Sequence, residues 1–421
     1  MGINKWHKKP LKSLCTRIGD GLHGTPTYDE NSEFYFINGN NLKNGKIEIT
    51  NNTNTVTKED FKKNFIPLDE NTLLLSINGT LGSMAFYNNE KIMLGKSAAY
   101  INFKENVNKF YYYYFQLKEI QEYFYNVATG STIKNLSLKS IQDFEVPIPD
   151  KVELENISNV LSSLDSKIEL NNKINKELEA MAKTLYDYWF VQFDFPDENG
   201  KPYKSSGGKM VYNQELKREI PEGWKQGTLG DISDLVRGVS YDKHDIKTVN
   251  DKDVIPILRA TNITGNIIDL DDMIYVPKVN VSQKQLLKKF EILMTMSSGS
   301  KEHIGKNAFF YYDKEISFGA FCAKLVPKKD FEFYLYSYTQ SNFMFDTIKN
   351  ECLGTNINNL NSSLVSGFQI VIPNKNQIEK FNKIVNSIYK KIANIQEQNQ
   401  ELSKLRDWLL PMLMNGQVKV K

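Results

Sequence analysis

Two sets of residues carry the spacing used by metal-dependent nucleases: Pro149–Asp150 with Asp165–Lys167, and Pro196–Asp197 with Glu215–Lys217. That chemistry needs carboxylates converging from neighbouring strands on one cation. Neither set has such a setting. The first starts at a helix cap and runs into a heptad pattern, and the second lies in a glycine- and serine-rich connector, so both read as caps and surface charge. Gly95–Lys96–Ser97 ends like a phosphate-binding loop, but Glu90 stands where the opening glycine belongs, and a strand follows where a helix is needed. His7, His23, His244 and His303 are scattered, and Cys15, Cys322 and Cys352 form no CxxC pair. Zinc and disulfide chemistry are therefore not expected, and a reducing, cytoplasmic setting is. Methyl-donor signatures of the FxGxG and (N/D/S)PP(Y/F) types are missing too. No catalytic residue, metal or cofactor is expected of this chain.

What remains are side chains suited to nucleic acid. Glycine-rich turns run through Gly19–Pro26, Asn38–Gly45, Ile77–Gly82, Arg259–Gly265 and Ser297–Lys306. Their amides, hydroxyls and cations can meet base edges, and their glycines let the backbone approach phosphates. Candidate DNA contacts are His23, Thr25, Asn40, Asn41, Lys43, Asn78, Thr80 and Lys96, then Arg259, Asn262, Ser298, Ser300 and Lys301. Ordinary β-turns use the same residue types. The run FYYYYF, Phe110–Phe115, offers rings for base stacking, but a helix so densely aromatic reads as one that packs on a sheet. A net charge of +3 permits nucleic-acid binding without implying it, so any basic footprint must be local or come from a partner.

These turns sit in a duplicated frame. The segment GSTIKNLSLKSIQDFEVPIP, from Gly130, returns without a gap as GTNINNLNSSLVSGFQIVIP, from Gly354, an offset of 224 residues. The register continues through Leu164/Ile388, Leu178/Leu402 and Leu185/Leu409; upstream, Trp6, Leu11 and Ile18 match Trp224, Leu229 and Val236 at an offset of 218. Two domains related by a pseudo-two-fold follow, since the period is too long for a solenoid. Strands are expected at FYFI (34–37), TLLLSI (72–77), MAFY (84–87) and AAYINF (98–103), answered by IPILR (255–259), EILMTM (291–296), AFFYY (308–312) and a run ending near Val326. Aromatic helices follow near 107–127 and 331–351.

Each copy then enters a long helix. Asp150 with Glu153, and Asn374 with Gln377, have capping-box spacing. Heptads follow, with one set at Ile157, Leu164, Asn171, Leu178 and Leu185 and a second at Val160, Lys167, Ile174, Met181 and Tyr188. The later helix gives Phe381, Ile388, Ile395, Leu402 and Leu409 with Ile384, Lys391, Gln398, Leu405 and Met412. This period predicts a coiled coil of the two helices, with Asn171 and Gln398 as polar intrusions that fix register. Roughly 40 residues of helix reach about 60 Å, enough to separate two globular heads. No stretch approaches a membrane span.

Four stretches together, IGDGLHGTP, the paired G-x-x-I-x-N-L…I-P blocks, YDYWFVQFDFPDENGKPYKSSGGKM and LLPMLMNGQV, resemble the specificity subunits of type I restriction–modification systems over the whole chain. The resemblance implies an α+β chain with two α/β target-recognition domains separated by two long helices that form an antiparallel coiled coil. On it, residues 1–150 are the first recognition domain, 151–195 the first spacer helix, 196–374 a connector with the second domain, and 375–421 the second helix. It further implies that the chain binds a bipartite, asymmetric target in double-stranded DNA. Two modification (methyltransferase) subunits would dock on the helices, where Leu164, Leu178, Leu185, Ile388, Leu402 and Leu409 are the candidates. Restriction subunits would complete the complex, with methyl donor and ATP bound by the partners. A self-contained DNA methyltransferase or nuclease is the alternative, and a scaffold that binds no DNA is a second.

Overall fold

The structure, a computed structural model, describes residues 6–353 and 359–420; Gly354–Asn358 of the repeated block, including Ile357, lie outside the described residues. It forms two compact units, one from residues 1–169 with 400–421 and one from 170–399. Both are α+β and share one plan.

In unit 1 the strands β1 (Cys15–Asp20), β2 (Thr72–Ser76), β3 (Met84–Phe86) and β4 (Ala98–Phe103) form an antiparallel sheet in the order β1-β4-β2-β3. Its central strands are apolar without alternation because both faces are covered. Leu73 and Leu75 pack into one core with the aromatic helix Asn108–Phe115, while Leu74 points the other way, into a core with Ile37, Leu94 and Tyr100. All six residues Phe110–Phe115 are buried, so the aromatic run is core. A smaller three-stranded sheet, Thr55–Val56, Phe34–Ile37 and Ile92–Leu94, closes the second face.

Unit 2 repeats this. Strands β5 (Ser233–Arg237), β6 (Ile292–Thr295), β7 (Asn307–Phe309) and β8 (Cys322–Pro327) lie in the order β5-β8-β6-β7, beside a three-stranded sheet of Ile274–Pro277, Val254–Leu258 and Ser317–Phe318. Its aromatic helix is Glu332–Thr339. One local difference corrects the alignment of the two copies. In unit 1 Arg17 pairs with Asn102 and Cys15 with Phe103, which leaves Thr16 as a bulge, whereas β5 pairs with β8 without a break. The bulge absorbs one residue, so Val236 answers Gly19 and not Ile18, and Arg237 answers Asp20.

Two helices are much longer than the rest, Lys151–Tyr186 with 36 residues and Lys375–Met414 with 40. Both caps form: Asp150 Oδ1 accepts from Glu153 N at 2.8 Å, and Asn374 Oδ1 from Gln377 N at 3.0 Å. The helices pair antiparallel within each unit. In unit 1 Asp165 meets Arg406; in unit 2 Asn171 meets Asn399, and Phe190 meets Phe381.

The buried positions revise the expected seam. Ile157, Asn171, Phe381, Ile388 and Ile395 are buried as the first set requires, but the second set lies one residue further on, at Leu161, Asn175 and Ala182, and at Val385, Ile392, Asn399 and Leu413. Met181, Ile384 and Leu405 are exposed. A heptad seam alternates steps of three and four residues, and the wrong choice of step turns each second-set side chain by about 100°. Lys167, Lys391 and Gln398 fell on that rejected face. The polar intrusion on the second helix is accordingly Asn399: it accepts from Asn171 Nδ2 and donates to Asn172 Oδ1, each at 2.8 Å.

Candidate nucleic-acid interface

At the end of β1, Asp20 is followed by Gly21, whose backbone presses on the strand Ile92–Leu94. A Cβ there would lie 1.9 Å from the Leu94 carbonyl oxygen, so only glycine fits. Gly238 is held in the same way, its Cβ position 2.1 Å from Gly319 O. This contact fixes where the chain leaves the sheet. In unit 1 it opens a cleft of about 470 Å³ lined by Asp20, His23, Ile77, Asn78, Lys96 and Asn135–Leu138. Three of the candidates, His23, Asn78 and Lys96, thus meet in one place. His23 Nε2 lies 2.7 Å from Asp20 Oδ2, with the imidazole largely exposed, and Lys96 is exposed.

The turn after β2 supplies Asn78 and Thr80. Its ends are closed by Gly82 N donating to Ser76 O and Ser76 N to Ser83 O, and Thr80 Oγ1 lies 3.0 Å from Ser76 Oγ. The repeated block clamps it from outside, with Leu136 N donating to Ile77 O at 2.9 Å. Unit 2 uses the same clamp, Leu360 N to Met296 O at 2.7 Å, on the turn that carries Ser298 and Ser300. Ser300 is exposed and Ser298 half-buried; the Lys301 side chain lies outside the described residues.

Several candidates prove to be structural. Asn41 and Asn262 occupy equivalent short turns. Asn262 is 4% exposed; its Oδ1 accepts from Arg259 N, and its Nδ2 donates to Asp269 O and Asp271 O. Asn41 accepts from Asn38 N and donates to Glu48 O. Both donors of the buried Asn262 are spent on backbone, which removes it from a base edge, whereas the half-buried Asn41 keeps one N–H beyond its two backbone bonds. Ser97 of Gly95–Lys96–Ser97 latches the same turn, accepting from Gly39 N and donating to Asn38 Oδ1, each at 2.9 Å. Lys43 is held by Glu48. Arg259 remains accessible, its Nη2 donating to the carboxylate of the exposed Asp272 at 2.6 Å, an anion that a phosphate or base acceptor can replace. Thr25 is exposed on a loop, and Asn40 is exposed in the short turn Gly39–Asn41.

Three of the four carboxylates in the nuclease-like spacings have structural roles: Asp150 caps a helix, Asp165 pairs with Arg406, and Asp197 Oδ1 accepts from Asn199 N and Lys201 N in a turn. Among the described residues no cluster of three metal-ligating side chains occurs, and no helix is long and apolar enough to cross a membrane. The six helix candidates for partner docking pack inward: Ile388 is buried, and Leu164, Leu178, Leu185, Leu402 and Leu409 are half-buried. The helices present other apolar side chains to solvent, among them Leu170, Met181, Ile384, Leu405 and Trp408.

Sequence reasoning missed Asp20 and its counterpart Arg237, opposite charges at one position of the frame. It also missed Asn135, which bridges to Asn78 as Asn359 does to Ser297. The repeat held the signal for the asparagines, in register at 224. The bulge at Thr16 hid the charge reversal.

A model of the type I restriction modification DNA specificity domain matches the chain twice, over residues 4–180 and 221–404. The type I restriction enzyme MjaIX specificity subunit of Methanocaldococcus jannaschii is 27% identical over 422 residues, 99% of this chain and 94% of its own. The StySPI specificity subunit of Salmonella potsdam is 32% identical over 203 residues, 47% of this chain and 44% of its own. The crystal structure of a type I restriction–modification S subunit from M. genitalium shares the fold, with a TM-score of 0.56 at 19% identity over 98% of this chain and 96% of that one. The two matched segments fall on the two copies of one frame, and the chain belongs to the family of type I restriction–modification specificity subunits.

Proposed function

We propose that residues 1–150 and 196–374 are two target-recognition domains that each read one half of a bipartite, asymmetric site in double-stranded DNA, in the cytoplasm. The chain itself supplies no chemistry. Two modification subunits dock on the paired helices and bring the methyl donor, and restriction subunits bring ATP-driven cleavage. One observation carries this reading: the two units keep the same strand order, glycine contacts and turn clamps, and differ in the turns those features hold. Identical partners require identical frames, whereas two different half-sites require different readers.

In the first cleft, His23 and Asn78 offer donors and acceptors for base edges, and Lys96 a cation for phosphate. The test combines a tritiated methyl-transfer assay with single-molecule sequencing of the methylated bases. The chain alone is expected to be silent. With two modification subunits it should methylate a two-part motif with unread pairs between its halves. Donor binding by the chain alone in calorimetry, or methylation of a single continuous site, would overturn the proposal.

A further inference from the structure

In unit 1 an ion pair sits where the aromatic helix faces the long helices. Arg406 Nη1 donates to Asp165 Oδ1 at 2.9 Å, and the Tyr113 hydroxyl donates to Asp165 Oδ2 at 2.6 Å. The repeat offset of 224 maps Arg406, Asp165, Tyr113 and Tyr112 onto Ala182, Tyr389, Ser337 and Tyr336 of unit 2. The architecture is the same, and Tyr389 Oη lies 3.4 Å from Ser337 Oγ, as Asp165 meets Tyr113. The guanidinium, however, has no counterpart, because alanine stands at its root. A cavity of about 240 Å³ is lined by Glu179, Asn266, Tyr336, Ser337 and Tyr389, together with Lys176 and Lys183.

The cavity is not neutral filler. Glu179 brings a carboxylate into it, and that carboxylate accepts from Asn266 Nδ2. Burial pushes its pKa up, with the Asn266 hydrogen bond opposing, as for an anion short of partners. Tyr336 is 2% exposed, and its hydroxyl lies beside that of the buried Tyr311. A partly buried carboxylate that no cation faces is costly, and a group with several N–H donors would satisfy this one. The mouth is reached past Lys176 and Ala180, which are exposed; the Lys183 ammonium beside them is held by Asp187. Met181 and Ile384 lie exposed on the same helices.

We propose that this niche accepts a basic side chain, a guanidinium or ammonium group, from a modification subunit docked on the helices of unit 2, supplying from outside the cation that Arg406 supplies within unit 1. The inference rests on the docking reading above. Binding of modification subunits to the full chain is measured for the native chain, Glu179→Gln and Tyr336→Phe. Glu179→Gln should weaken one of the two docking events roughly tenfold and leave the other unchanged, and Tyr336→Phe should weaken the same event severalfold. Alone, the Glu179→Gln chain should melt no lower than native, since the substitution removes an uncompensated anion.

Unchanged binding by Glu179→Gln would overturn the inference while docking stood; a native chain that binds no modification subunit would retire both. A lower melting temperature for isolated Glu179→Gln would show that a lysine of the chain already neutralises the carboxylate. Spermidine that stabilises the native chain but not Glu179→Gln would assign the niche to a free polyamine. Either result counts against a partner side chain.

Discussion

The turn after β2 in unit 1 and the turn after β6 in unit 2 are closed by the same two backbone hydrogen bonds and clamped by the same leucine amide, yet one spans Ile77–Leu81 and the other Met296–Ile304. Five residues stand against nine inside one frame. The strand leading into each unit's cleft side shows the same contrast on a smaller scale, with Asp20 exchanged for Arg237 at a point fixed by an unavoidable glycine. Constancy thus resides in backbone contacts and buried apolar side chains, and divergence in exposed polar ones. That is the distribution expected when one surface must keep its partners while another changes what it reads.

The comparison breaks most readily at the clamp. Leu136 is fully buried and Leu360 nearly so. Changing either to alanine should cost about 3 kcal/mol, measured as a denaturant-midpoint shift at constant m. The two losses should be similar, and Leu136→Ala should abolish recognition of one half-site only. Unequal losses would show that the frames are alike in outline but not in energy. Next in size is a change at a candidate base contact. Arg259→Ala should cost ~1–3 kcal/mol of preference at one half-site and leave the other intact, read from methylated-site sequencing. A uniform loss across both halves would mark a phosphate contact.

A smaller effect sharpens the contrast between the niches. Arg406→Met strands the partly buried Asp165, and should lower stability by about 1–2 kcal/mol in urea titrations. Tyr389→Phe, at the equivalent of Asp165, loses one weak contact to Ser337 and should cost under about 0.5 kcal/mol. Smallest is Met181→Ala, a solvent-facing position, expected within about 0.5 kcal/mol for the isolated chain. A large loss there would restore the seam first read from the heptads.

The thiols offer a probe of each unit by itself. Burial pushes Cys15 and Cys322 up to about 12. At pH 8 the thiolate fraction is then on the order of 10⁻⁴, so alkylation must await opening of the unit concerned. Peptide mapping after timed iodoacetamide exposure should show both protected in the native chain. Rapid labelling of either would place that unit among the weakly held parts of the fold.

The fold was legible because its determinants are dense. Leu73, Leu74 and Leu75 are apolar without alternation, as a strand buried on both faces must be, and the proline-preceded caps at Asp150 and Asn374 mark both long helices. The seam was half legible, since the first heptad set is fixed by isoleucine, leucine and phenylalanine, while the step to the second rested on ambiguous positions. The site was least legible. Asn262 and Asn41 have the composition of base readers, but their amides terminate short turns, and a single sequence carries no sign of which way a side chain faces. Glu153 makes the same point: besides its place at the helix cap, its carboxylate accepts from the Trp6 indole at 2.9 Å, a contact that capping-box spacing does not announce. In unit 2 the equivalent Trp224 Nε1 and Gln377 Oε1 both lack partners, because Trp224 stacks on Phe195 with ring centroids 5.0 Å apart. An aromatic chain segment peculiar to unit 2 thus overrode a contact that the alignment of the copies would have carried across.

The leucine clamp works as a socket. It grips its turn only through main-chain amides and carbonyls, at Leu136 with Ile77 and at Leu360 with Met296. Inside the turns Ile77, Met296 and Ile304 are buried, so a sequence that keeps such apolar ends and closes the loop can be seated. Lengthening a flexible loop from five to nine residues costs about 0.5 kcal/mol of closure entropy, small against the stability of a domain. Turns of different length and chemistry can therefore be exchanged with little cost to folding, which, on the proposed function, makes this turn the natural graft point for retargeting the chain.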